Sequence, residues 1–110
     1  MRENLLGLKV LVVDDSKAIR RTADFLLSKR GCDVVTATDG FDALAKVVAK
    51  KPSIIFVDAL MPRLDGYQTC ALIKNNNEFK NTPIIMLSKN AGIFDRAKGR
   101  IFGANEFLQK

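Results

Sequence analysis

The sequence contains no histidine, and its two cysteines, Cys32 and Cys70, lie far apart and outside any CxxC spacing. These absences exclude the Cys/His combinations of zinc sites and supply no disulfide framework, so two reduced, buried thiols are expected. No apolar run approaches the ~18 residues of a membrane span, and the opening MRENLLGLK lacks the apolar stretch of a secretory leader. A cytoplasmic protein with no membrane association is expected. Linkers, low-complexity tracts and internal repeats are missing too, so residues 1–110 read as one domain with one modest core and one site.

Acidic residues are the minority, 12 Asp+Glu against 18 Lys+Arg for a formal net charge of +6. Nucleic-acid binding would call for those cations in a stripe on one face, interleaved with aromatics that stack bases. Here they are dispersed, from Arg20 and Arg21 through Lys46 and Lys74 to Lys98 and Arg100, and no nucleic-acid partner is expected. A basic surface still bears on the choice of an acidic protein partner.

Three of the acids stand where a core ends. Asp14 and Asp15 close LKVLVVDD, and Asp58 closes SIIFVD. Around them, short aliphatic runs alternate with segments of helical periodicity, a βαβα pattern. Strands are expected at Lys9 to Val13, Asp33 to Thr36, Ile54 to Val57, Ile84 to Leu87 and Glu106 to Gln109. Ser16 should cap a helix carrying Ile19, Ala23 and Leu26 on its core face, with Gly31 ending it. A second helix is expected around Phe41, Leu44, Ala45 and Val48, stopped by Pro52, and a third from about Tyr67 to Asn75. The last should place Ile93, Ala97 and Ile101 on one stripe.

Runs such as LVV, IIFV and IIML are continuous rather than alternating, as in parallel strands buried on both faces, so the fold class is an α/β sheet covered by helices. In such sheets the ligand crevice lies outside the carboxyl ends of the strands. Asp14, Asp15, Asp58, Ser88 and Lys110 all fall there. A hard divalent ion such as Mg2+ takes oxygen ligands, so two or three carboxylates with a backbone carbonyl suit it. Alternatively, the third carboxylate acts as a nucleophile toward phosphorus, with a lysine and a serine hydroxyl on the phosphoryl oxygens. Helix and turn capping explains any one of the aspartates. It explains an adjacent pair plus a third at an equivalent strand end less well.

LVVDDS, FVDALMPRLDGY, IIMLS and FLQK together resemble the receiver domain of two-component response regulators over nearly the whole chain. GCDVVTATDGFDALAK, MPRLDGYQTCALIKNN and FDRAKGRIFGANEFL further resemble the single-domain regulators of type IV pilus twitching motility. The resemblance implies a flavodoxin-like, doubly wound five-stranded sheet of order 2-1-3-4-5. It implies that Asp58 accepts a phosphoryl group from a histidine kinase or phosphotransfer protein, and that Asp14 and Asp15 hold Mg2+ with the Leu60 backbone carbonyl and Asp58. Ser88 matches the switch hydroxyl, Phe107 the switch aromatic and Lys110 the lysine that pairs with the phosphoryl group. Phosphorylation then moves Ser88 toward Asp58 and rotates Phe107 inward, changing the face of the fourth helix and fifth strand that a downstream motility or signalling protein reads. Lys89 and Asn90 lie beside that face.

Receivers normally continue past the position of Lys110 into a fifth helix. Its lack would expose apolar surface on the first, third and fifth strands, so either the sequence is a fragment or a second copy of the chain covers that face by dimerisation or exchange of elements. A terminal carboxylate on Lys110 would compete for its ammonium, and a fraying terminus would hold it poorly. Three functions follow: a phosphorylation-controlled signalling module that is not an enzyme, a phosphorylation-independent assembly or scaffold module, and a Mg2+-dependent phosphotransferase. The last is disfavoured because Asp14-Asp15-Ser16 supplies no Asp-x-Asp nucleophile motif.

Overall fold

The computed structural model describes residues 5–90 and 92–110. Residues 1–4, part of the opening read as leaderless, lie outside the described residues. The chain alternates strand and helix throughout: β1 (Lys9–Val13), α1 (Lys17–Lys29), β2 (Asp33–Ala37), α2 (Gly40–Lys50), β3 (Ile54–Asp58), α3 (Gly66–Lys74), β4 (Ile84–Ser88), α4 (Ile93–Ile101) and β5 (Glu106–Gln109). All neighbouring strands pair parallel in the order β2-β1-β3-β4-β5, the expected doubly wound sheet.

Helix boundaries follow from local chemistry. Ser16 Oγ accepts the Ile19 N–H at 3.3 Å, and Gly31, at φ 91°, takes the left-handed turn that ends α1. Asp39 caps α2 through the Asp42 N–H at 2.8 Å. Asp65 and Gln68 form a reciprocal capping box at the start of α3, at 2.8 and 3.1 Å.

Strand residues alternate between two unequal cores. Leu11, Val13, Ile55, Val57, Ile84, Met86 and Phe107 face α2, α3 and α4, where Ala43, Val47, Cys70 and Ile73 complete the larger one. Val10 and Val12 face α1 on the other side, where Ala23, Leu27, Ile54 and Phe56 pack around them. This second layer is thin. No α1 residue is fully buried, Ile85 and Leu87 are half-buried, and Leu108 is exposed.

Several helix faces differ from the sequence expectation. On α1 the inward residue is Leu27 and not Leu26, which is exposed. On α2 the buried residues are Gly40, Ala43 and Val47, with Leu44 partly buried, while Phe41, Ala45 and Val48 are exposed. On α4 the expected stripe is turned outward and only Gly99 is buried. In each case the spacing is helical but a different face meets the sheet, and on α4 the residue turned inward is the small Gly99. β2, β3 and β4 each extend one residue beyond the expected end.

Candidate functional site

Parallel register gathers the site. Val13 is aligned with Val57, which sets Asp14 beside Asp58; Asp58 is aligned with Leu87, and Ser88 with Gln109. The next residue, Lys110, donates its backbone N–H to the Ser88 carbonyl at 2.8 Å. The Lys110 backbone is thereby hydrogen-bonded to the end of β4. Its Nζ lies 2.9 Å from Asp58 Oδ1 and 3.0 Å from Asp14 Oδ2.

Asp14, Asp58 and Ser88 are buried, whereas Asp15 is exposed. The cleft, about 400 Å³, is lined by all four together with Leu60 and Lys110. One carboxylate oxygen from each of Asp14, Asp15 and Asp58 lies within 4.8 Å of the others. Asp14 Oδ1 accepts the Ser16 N–H at 2.9 Å. Asp14 Oδ2 is buried, with the Lys110 ammonium 3.0 Å away as its cationic neighbour. That anionic oxygen and the two further carboxylates beside it form a donor set that fits Mg2+.

Burial pushes the Asp58 carboxyl up from its ordinary value and the nearby Asp14 charge adds to the rise, against the opposing pull of Lys110 and the Leu60 backbone. For Lys110 burial favours the neutral amine, yet pairing with Asp58 and Asp14 outweighs it and raises the ammonium above its ordinary value. Two acids sharing one lysine leave room for another cation.

Ser88 Oγ accepts the Asn90 N–H at 3.0 Å, so its own proton remains to be donated. Phe107 lies inward, 6% exposed, stacked on Tyr67 with ring centroids 6.4 Å apart. Leu60 exposes its side chain and directs its backbone toward Asp58.

Three supporting contacts were not anticipated from sequence. Arg20 Nη1 donates to the Asp14 carbonyl at 2.7 Å, pinning the β1–α1 turn. Asn90 orients Ser88, as above. Gly66 packs against the Asp58 backbone so tightly that no side chain fits, a role for which the Asp65-Gly66 dipeptide offered only a turn signal.

The chain matches the response regulator receiver domain family over residues 10–110. It is 66% identical to Protein PilG of Pseudomonas aeruginosa, covering all of this chain and 82% of PilG. It is 36% identical over 102 residues to the Bacillus subtilis alkaline phosphatase synthesis transcriptional regulatory protein PhoP, spanning 93% of this chain but 42% of that protein. Among solved structures, the Vibrio cholerae chemotaxis protein CheY4 superposes with a TM-score of 0.91 at 35% identity, over 94% of this chain and 87% of that one. The receiver domain of Francisella response regulator 1452 gives 0.87 at 32%, over 94% and 84%. The sheet order, the strand-end acids and these likenesses agree: the chain belongs to the response-regulator receiver domain family.

Proposed function

We propose that this receiver takes a phosphoryl group on Asp58 from a histidine kinase or phosphotransfer protein and passes the signal through a protein-protein face. The observation that carries it is the buried Asp58 carboxylate, with Lys110 at 2.9 Å and carboxylate oxygens of Asp14 and Asp15 within 4.8 Å. An Asp58 oxygen attacks phosphorus, forming an acyl phosphate as the phosphorus–nitrogen bond of the donor phosphohistidine breaks; the imidazole leaves with the electron pair. Asp14, Asp15 and Asp58, with the Leu60 carbonyl, would hold Mg2+, which when bound offsets negative charge on the phosphoryl oxygens.

Lys110, already paired with Asp58 and Asp14, neutralises one phosphoryl oxygen. The Ser88 hydroxyl donates to another, and on the switch reading it draws the β4–α4 turn with it. Phe107, one strand over and already inward, is then held in that position against Tyr67. Added phosphate charge thus biases the position of α4 and β5. Likeness to PilG and to a chemotaxis protein supports an output in pilus-driven motility or a related taxis pathway, in the cytoplasm. No helix among the described residues is long and apolar enough to cross a membrane.

The test is intact mass after incubation with a small phosphodonor and Mg2+. One phosphoryl group per chain, absent from Asp58→Asn and from protein kept in a chelator, is expected. Equal labelling of Asp58→Asn would sink the assignment, and absence of label in the parent would favour the scaffold function.

A further inference from the structure

Lys74, the last residue of α3, carries an ammonium whose three acceptors are all uncharged. It donates to the Thr82 carbonyl, to Asn105 Oδ1 at 2.9 Å and to the Lys80 carbonyl at 3.3 Å. An ammonium has three donors, and here each is spent on a backbone or amide oxygen. Thr82 leads into β4 and Asn105 into β5, so one side chain ties the entries of two strands together. The turn before β5 is built around its stem: a Cβ on Gly103, which stands at φ 105°, would lie 2.9 Å from Lys74 Cγ.

Asn105 completes the tie. Its N–H donates to the Ile84 carbonyl at 2.8 Å and its Oδ1 accepts the Ile84 N–H at 2.9 Å, so one residue engages both backbone groups of another. That pairing specifies a single register. Gly103, Ala104 and Phe107 carry no side-chain acceptor and, set opposite the fully buried Ile84, would leave its N–H unmet. Glu106 carries one, but on a stem one methylene longer.

The cleft end of β5 holds the register less strictly. Lys110 meets Asp58 and Asp14 through an ammonium on a flexible stem, a point charge that follows its acceptors, whereas the amide contacts of Asn105 are directional. We propose that Asn105 and Lys74 are positioning residues for phosphoryl transfer: from the end of the sheet remote from the cleft, they set β5 on β4 in the register that brings Lys110 to Asp58. The link to chemistry rests on the phosphoacceptor reading above, and the register itself does not.

Residue-resolved amide exchange and phosphoryl labelling of the whole chain test the two parts. In Asn105→Ala the Lys110 N–H should exchange about tenfold or more faster than in the parent, well beyond any change at β1. Asn105→Asp keeps the acceptor and should protect Lys110 as the parent does. Lys74→Met keeps the stem without the donors and should change exchange in the same direction as Asn105→Ala; it carries the test if that variant does not fold. Labelling is then compared in two backgrounds. Asn105→Ala should slow it about tenfold in the parent and add nothing in Lys110→Met, because the register acts only through that ammonium. Equal slowing in both backgrounds is the signature of general damage and would overturn the proposal. So would parent-like exchange at Lys110 in Asn105→Ala and Lys74→Met, or lost protection in Asn105→Asp. A parent that takes no label defeats the phosphoacceptor reading, and the exchange measurement still decides the register.

Discussion

Gly66 stands so close to Asp58 that a Cβ there would lie 2.1 Å from the Asp58 carbonyl oxygen and 2.7 Å from Ala59 Cα. Its N–H also donates to the Ala59 carbonyl at 2.9 Å, so the start of α3 is fastened to the end of β3. Backbone, unlike a flexible side chain, cannot step aside. Gly66→Ala should therefore cost about 1–3 kcal/mol in urea unfolding, the range for overpacking, and slow labelling of Asp58. Parent-like stability would show that the turn relaxes freely.

Lys110 makes an alkaline prediction. Its folded pKa is raised above the ordinary 10.5, so its contribution is complete below that value and is lost as pH climbs through the folded one. Urea midpoints measured across the alkaline range should fall for the parent. They should fall less for Lys110→Met, which isolates this lysine from Tyr67 and Cys70, both also raised by burial.

Asp58 acts with the opposite sign. Burial and the charge of Asp14 make its ionised form unfavourable in the fold, so it costs stability at neutral pH and costs less as acid protonates it. Asp58→Asn should melt at a higher temperature than the parent at pH 7 without divalent ions. The advantage should shrink on acidification, and a lower melting temperature at pH 7 would contradict it.

Cys70 is fully buried and burial pushes its thiol up to about 11. In a Cys32→Ser background it should resist alkylation at neutral pH until the protein unfolds. Labelling that outpaces unfolding would point to local opening of α3.

The sheet was legible in the sequence because its strands are short, aliphatic and punctuated, and because strand ends fix where a crevice lies. That logic placed Asp14, Asp15, Asp58, Ser88 and Lys110 together before any geometry was known. Helix orientation was less legible. Apolar spacing reveals that a face exists without saying what it meets, and the buried residues include Gly40 and Ala43 on α2 and Gly99 on α4, which add little to a hydrophobic pattern. Leu26 and Leu27 are adjacent and chemically alike, so only the packing of α1 against Val10 and Val12 distinguishes them. The cleft contacts of Arg20 and Asn90 involve backbone atoms, which carry no sequence signature.

Lys110 reaches the two aspartates only because β5 lies in one particular alignment on β4, with Ser88 opposite Gln109. A strand advances about 3.3 Å per residue and successive side chains point to opposite faces. Removing a single residue from the turn between Gly103 and Asn105 would withdraw the ammonium by more than the length of its ion pairs and send Phe107 out of the core. The strand pairing is in effect a ruler, and the chemistry at its end is correct only at one graduation.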